Sequence, residues 1–398
     1  MRDGNSIKPT DVFVVGGGPA GIAAALAARQ RGLEVTVADG CSPPIDKPCG
    51  EGLMPDGIAA LQRLGVSIPP MEAHRFRGIR FVSSGLSVEA AFPNGYGLGV
   101  RRTNLHRILV EHAERVGVRF LWRAVITGLH ADGVVMQGKL VPARWIIGAD
   151  GSGSRVRRWS ALDVHRQKEQ RFAFRRHYRV APWAEFMELH WGTRCQLYVT
   201  PVGSEEVCVA LISRDPGLRL DEALREFPEV AERLQGAEPD SVEPGSIEHG
   251  SVEHGSIKHG SIKHASVERG AVSVTRRLAR VCGGRVALIG DASGGVDAIT
   301  GEGVCLAFNQ ADLLGDCLAS GDLAPYQAGH RALARRPAVM SRLMLLLEHR
   351  EKLRRRVMRA FIAEPKLFAH MLATHVGAVS PMDFAANGLA LGWKLLIA

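Results

Sequence analysis

The chain has 398 residues, 46% of them hydrophobic and 23% charged, with a net charge of +9. That length exceeds one small core and suits two closely joined domains with an appendage, and no run of about 18 apolar residues is present to span a bilayer. The excess positive charge is concentrated between Arg331 and Lys366, where eleven Lys and Arg stand against three Glu, which argues against a nucleic-acid groove in the core domain. Seven cysteines without a CxxC pair, and an N-terminus without an apolar signal region, point to reduced thiols in a cytoplasmic setting and to no structural metal.

Taken in chain order, Val12 to Val15 reads as a buried strand, followed at once by Gly16-x-Gly18-x-x-Gly21 and an Ala-rich helical pattern to Arg31. In that order Gly16 allows a tight turn, Gly18 lets backbone approach a pyrophosphate, and Gly21 lets helix and strand pack closely. Pro19 and Ala20 open the helix whose N-terminus favours the phosphates. A second strand, Glu34 to Ala38, ends in Asp39, a carboxylate suited to the ribose hydroxyls of an adenosine. A Pro- and Gly-rich loop follows through Cys49, Gly50, Glu51 and Gly52. A helix over Asp56 to Leu64, capped by Asp56, precedes alternating strand patterns at about 76–92 and a helix opened by Arg101 and Arg102.

Strands near 118–136 lead to Trp145 to Ala149, which runs into Asp150, Gly151 and a helix start at Ser154; Asp150 alone would also serve as the cap of that helix. Residues 170–213 read as an antiparallel sheet carrying His177, Tyr178 and His190, ordinary sheet residues by position. From Gly245 the chain repeats every five residues with a His in most repeats. A period of five fits neither helix nor strand, so 245–269 is read as a solvated insertion. A strand over Arg285 to Ile289 then meets Gly290 and Asp291, and Gly301-Glu302-Gly303 opens a helix. Past Ala324 the chain reads as helical to about Val376. Val339, Leu343, Leu346, Leu353 and Val357 form its packed stripe, with Arg350, Arg354 and Arg355 facing elsewhere. A helix packed on the core is the preferred reading of 331–366, with peripheral membrane contact as the alternative.

Three glycine–acid turns at strand ends resemble, in this order, the FAD-dependent aromatic hydroxylases and their relatives, the geranylgeranyl reductases and flavin-dependent halogenases. The resemblance implies an α/β, Rossmann-like FAD domain over about 1–75, 98–165 and 272–330, an inserted antiparallel β-sheet substrate domain over 76–97 and 166–271, and a helical region over 331–398. It implies that Gly16, Gly18, Pro19, Ala20 and Gly21 hold the FAD pyrophosphate and Asp39 the ribose. By the same resemblance Arg102 would contact FAD, Asp150-Gly151 would serve flavin and NAD(P)H, and Gly290-Asp291 would take the ribityl and pyrophosphate region. Gly301, Glu302 and Gly303 would, on this resemblance, aim a helix at the flavin ring.

The Lys47-Pro48-Cys49-Gly50-Glu51-Gly52 loop is closer to the geranylgeranyl reductases, in which a similar cysteine faces the flavin. Cys49 is therefore the candidate catalytic residue, the alternative being a loop cysteine without a role. Their aromatic strand motif is missing, since Tyr198-Val199-Thr200-Pro201 stands in its place. That absence favours a hydroxylase, with Val199, Thr200 and Pro201 walling a compact pocket. The expected activity is NAD(P)H- and O₂-dependent hydroxylation of a phenolic or polyketide-like small molecule through a flavin C4a-hydroperoxide. Reduction of prenyl double bonds in a lipophilic substrate is the alternative.

Overall fold

The computed structural model of the chain describes residues 9–239 and 268–379. The five-residue repeat, apart from its last residues Glu268 and Arg269, lies outside them, as does the end of the C-terminal region from 380.

The glycine-rich front of the chain sits at the middle of a parallel sheet. Strand Thr10–Val15 pairs with Val35–Asp39 on one side and Lys139–Gly148 on the other, and Val12, Phe13 and Val14 are fully buried. Burial on both faces explains why the run is apolar without alternation. Arg119–Trp122 and Val286–Leu288 extend the sheet at its two sides, also in parallel. The carboxyl ends of these strands therefore lie along one edge, which gathers the three glycine–acid turns from far apart in sequence.

Helices α1 (Pro19–Gln30), α2 (Pro55–Arg63), α3 (Arg102–Arg115), α4 (Arg155–Trp159), α5 (Leu220–Ala223), α6 (Pro228–Arg233), α7 (Gly303–Ser320), α8 (Ala324–His349), α9 (Glu351–Ala363) and α10 (Pro365–His375) complete the described chain. Ala23, Ala24, Ala25, Ala27 and Ala28 of α1 are fully buried, and their small size lets α1 pack against α3 and α7. The α2 helix starts one residue before the sequence reading, and Asp56 does not cap it. Pro55 takes the first helical position, and the Asp56 carboxylate accepts from Arg336 Nη2 at 2.6 Å instead.

A second, nine-stranded sheet runs in the order Gly294–Gly295, Arg269–Leu278, His165–Arg179, Glu206–Ser213, Cys195–Gly203, Phe186–Trp191, Gly78–Ser83, Leu86–Ala91, with Glu238–Pro239 paired to the side. It is antiparallel except where Phe186–Trp191 meets Gly78–Ser83 in parallel, because those two strands reach the sheet from distant parts of the chain rather than through a hairpin. One face packs its own core of Leu197, Val199, Val207, Val209 and Leu211 beneath α5 and α6; the other faces the parallel-sheet unit.

The C-terminal helices differ from the sequence reading in register. Met340, Met344 and Leu347 are buried in the second half of α8, whereas Val339 and Leu346 are 39% and 46% exposed. The buried stripe follows an i, i+4, i+7 ridge that uses methionines in place of the β-branched and leucine positions. Arg354 is not on the charged outer face either: it is buried, donates to Ser83 Oγ (3.0 Å) and the Leu347 carbonyl (3.1 Å), and lies over the Trp191 ring. Among the described residues no helix is long and apolar enough to cross a membrane.

Candidate functional site

The three turns open onto one cleft of about 1150 Å³ between the parallel sheet's edge and the nine-stranded sheet. Its walls include Gly16, Gly18, Pro19, Ala20, Asp39, Cys49, Gly50, Arg102, Asp150, Gly151, Gly290, Asp291, Gly301 and Gly303. Gly21 and Glu302 are the two proposed cofactor residues that do not line it.

Each glycine of the first turn is required for a different reason. Gly16 has φ of +112° with the Ala149 carbonyl oxygen 2.4 Å from where a Cβ would stand, and a Cβ on Gly21 would lie 1.9 Å from the Gly16 carbonyl oxygen. These two let the strand turn and α1 approach it. Gly18 is different. Its backbone is extended (φ −72°), and a Cβ there would meet only Arg102 Nη2, at 4.0 Å. Nothing in the protein needs Gly18 to be small; what needs it lies in the cleft. The turn is held from behind by His106, whose Nδ1 faces the Ile45 N–H (3.4 Å) and whose Nε2 donates to the Gly17 carbonyl (2.8 Å). Burial pushes this imidazole down to about 4, so it stays neutral in that role.

The acids divide by duty. Asp39 accepts from the Gly17 N–H (2.7 Å) and the Cys41 N–H (2.8 Å), which fixes its carboxylate at the cleft with lone pairs to spare. Asp150 caps α4, accepting from the Arg155 N–H (2.7 Å), the Val156 N–H (3.1 Å) and Ser154 Oγ (2.5 Å), while still lining the cleft. Capping and ligand contact are thus compatible at one residue. Asp291 is half-exposed and pairs with Lys47 Nζ at 2.7 Å, and the Lys47 ammonium holds its carboxyl below the usual range. Arg102 is buried at the cleft wall, burial pulls its guanidinium below the ordinary arginine value, and its Nε has no hydrogen-bond partner. A buried guanidinium on the cleft wall, its Nη2 4.0 Å from where a Cβ on Gly18 would stand, suits an anionic or carbonyl-bearing ligand.

The loop carrying Cys49 and Gly50 is fastened by its neighbour. Glu51 is buried at φ of +59° and accepts from the Arg102 N–H (2.8 Å), Arg175 Nη1 (2.7 Å) and His177 Nε2 (2.7 Å). Arg101 Nη2 lies 3.2 Å from His177 Nδ1, and Arg175 also holds Asp46 (2.9 Å). Burial alone would raise the Glu51 carboxyl, but the His177 hydrogen bond, with the charges of His177 and Arg175, brings it down to about 2. The Glu51 N–H lies 3.4 Å from Cys49 Sγ, and Thr200 Oγ1 donates to the Gly50 carbonyl at 2.7 Å. Sequence reading passed over Glu51, Arg175 and Asp46 and gave His177 no role; the only local signal was the pair of glycines flanking Glu51. Among the described residues, Glu51, His177 and Cys208 bring ligand-type atoms within 4.8 Å of one another. Arg175 and the Arg102 N–H already occupy that carboxylate, so a cation there would face guanidinium charge, and the cluster reads as a clamp on the loop.

Across the cleft stands the second face of the nine-stranded sheet, with Ala173, Tyr198, Ala210, Ile212, Ala271 and Val272. Tyr198 is fixed by its hydroxyl donating to the Ile299 carbonyl (2.6 Å). The wall is therefore built from Tyr198 and its small neighbours. Val199 faces the other core, and Thr200 holds Gly50.

The cleft fits FAD by its own features: backbone open at Gly18, an unpartnered Arg102 Nε, Asp39 held for a ribose, and the N-terminal ends of α1 and α7 directed at one space. Residues 9–322 match the family described as FAD binding domain. The chain is 32% identical over 338 residues to the menaquinone reductase of Mycobacterium tuberculosis strain H37Rv, covering 79% of this chain and 78% of that one. It is 29% identical over 168 residues to the rifampicin monooxygenase of Rhodococcus hoagii, covering 39% of this chain and 34% of that one. The crystal structure of a flavoprotein/dehydrogenase from Cytophaga hutchinsonii shares the fold, with a TM-score of 0.78 at 18% identity over 98% of this chain and 99% of that one. The chain belongs to the FAD-binding-domain family and is a flavin-dependent oxidoreductase.

Proposed function

We propose that the chain is a flavin-dependent reductase that adds two hydrogens across a carbon–carbon double bond of a lipophilic, prenylated substrate, a menaquinone-type quinone being the first choice. The observation that carries this reading is Cys49 on the cleft lining, in a loop held to the nine-stranded sheet by Thr200, Arg175 and His177, beside a sheet face of Ala173, Tyr198, Ala210, Ile212, Ala271 and Val272. These apolar side chains suit a hydrocarbon chain. Tyr198 also borders a small apolar cavity of about 30 Å³ lined by Met187, Met340, Met344 and Met371, side chains able to repack around a long tail. The likeness to a menaquinone reductase over most of both chains supports the same choice.

FAD, when bound, supplies the two-electron chemistry. The protein's part is to place and protect. Gly18 and the α1 N-terminus hold the pyrophosphate, Asp39 the ribose, and Arg102 the flavin side of the cleft. Arg155 and Arg158 on the rim beside Asp150 and Gly151 dock the phosphates of NAD(P)H, the electron source in this reading. Cys49 gives its proton to the substrate carbon, and the Glu51 N–H, aimed at the sulfur, serves the charge left there. The apolar wall keeps water from the reacting carbons.

Hydroxylation remains the second reading, favoured by the partial likeness to a rifampicin monooxygenase. Replacing Cys49 by Ala separates the two. In a reductase the variant keeps its FAD spectrum and its reduction by NAD(P)H but loses about 10²-fold or more in substrate reduction, the usual scale of a general acid. Full activity in Cys49→Ala would remove the thiol from the mechanism and return the hydroxylase to first place.

A further inference from the structure

Beneath the cleft, where α2, α7, α8 and α10 meet, three buried polar atoms have no hydrogen-bond partner: Glu302 Oε2, His375 Nδ1 and Arg336 Nε. Native interiors seldom leave such atoms alone, and each asks for an explanation. Glu302 and His375 are 3% and 7% exposed, and their two unpartnered atoms face each other at 3.6 Å. The charges around them come from every packed element. Asp56 stands on α2, Arg336 on α8, His375 on α10, and the Cys305 thiol on α7 itself. Arg336 Nη2 is 2.6 Å from Asp56 and 3.8 Å from Glu302 Oε1, so its charge is already matched by Asp56. An ionised Glu302 would be a second carboxylate in a site with one cation. A proton on Oε2, donated to His375 Nδ1 after a small side-chain rotation, satisfies both unpartnered atoms at once.

We propose that Glu302 is a carboxylic acid held neutral by His375, and that through this contact α10 sets the charge at the N-terminus of α7, against the flavin. Glu302 is the N-cap residue of the 18-residue α7, and Gly301, Gly303 and Val304 on either side of it line the cleft. A carboxylate in that position would offset the positive helix end; a carboxylic acid leaves it whole for a reduced, anionic flavin. Burial supports the assignment, pushing the Glu302 carboxyl up to about 8 and the His375 imidazole down to about 4. His375 lies beyond residues 9–322, the part of the chain that matches the family. The inference rests on FAD occupying the cleft and is independent of which substrate is reduced.

Two measurements on the FAD-loaded protein test it. Infrared spectra of the wild type at pH 7 should contain the C=O stretch of a buried protonated carboxyl, fading as pH rises past about 8 and absent from Glu302→Gln. In His375→Leu the band should persist but move to the position of an acid without a hydrogen bond. The flavin midpoint potential of the wild type should fall more steeply with pH above about 8. There, reduction by two electrons brings one further solvent proton onto Glu302. Glu302→Gln should keep a single slope. Should that variant fail to load FAD, the wild-type band and its shift in His375→Leu decide alone. A wild type without an acid band at pH 7, a band unmoved in His375→Leu, or the same steepening in Glu302→Gln would overturn the proposal.

Discussion

Gly18→Val separates what the fold requires from what the cofactor requires. The new Cβ would meet nothing nearer than Arg102 Nη2 at 4.0 Å, and the backbone there is already in a region open to any residue. The stability of the protein without cofactor should therefore change by no more than about 0.5 kcal/mol. The valine methyl groups, however, would fill the space in which the pyrophosphate meets the α1 N-terminus. Loss of two charge-assisted hydrogen bonds at about 1.5–3 kcal/mol each removes about 3–6 kcal/mol of binding. At about 1.4 kcal/mol per tenfold, FAD affinity should fall by about 10² to 10⁴. Gly21→Val is the contrast: its Cβ would sit 1.9 Å from the Gly16 carbonyl oxygen, so strand and helix must separate, at a cost of about 3 kcal/mol, the upper end for an overpacked site. Thermal melts of the apoproteins, paired with FAD titrations followed by flavin fluorescence, read both quantities. A Gly18→Val protein that binds FAD like the wild type, or that no longer folds, would refute the placement of the pyrophosphate.

Glu51→Gln should destabilise the protein by about 3 kcal/mol, because Arg175 and His177 lose the buried charge that partners them. The folded carboxyl lies below its ordinary 4.5, so its stabilisation is present above that pH and is lost as pH falls toward 2. Acid titration of the melting temperature should show that loss in the wild type and not in the variant. Arg171 is buried between Asp297 (2.7 Å) and Glu348 (2.5 Å) and joins the nine-stranded sheet to α8. Arg171→Met should cost about 3–5 kcal/mol in denaturant unfolding. For the outer face of α9, where Arg355, Arg356, Arg359 and Ile362 are exposed, a membrane-surface role predicts salt-sensitive binding to anionic vesicles. Changing the three arginines to Gln should weaken that binding by about 3 kcal/mol at low salt. Equal sedimentation of variant and wild type with the vesicles would exclude this role.

What the sequence disclosed were features carried by a few adjacent residues. The Gly16–Gly21 turn, Asp39, Asp150 and Asp291 were legible because a strand, a turn and a helix start lie side by side in the chain, and the parallel sheet then brings their ends together. The Glu51 clamp was not legible. Its partners Arg175 and His177 stand 124 and 126 residues away, joined to it only by the docking of one sheet on the other. His106 was hidden for a similar reason, as one of many polar residues on an amphipathic helix. On α8 the apolar pattern was read one position out of phase, since methionines fill the buried ridge and leave Val339 and Leu346 outside. The direction of the Glu302 side chain depends on α10, whose docking no local pattern records.

The most direct test of the central claim is the product made without oxygen. The FAD-loaded protein, given NAD(P)H and a menaquinone under strictly anaerobic conditions, should yield a product heavier by two hydrogens, with the reduced bond in the prenyl chain by mass spectrometry. Turnover that stops without O₂, resumes with it, and gives a product heavier by one oxygen atom would contradict the account and establish the hydroxylase in its place.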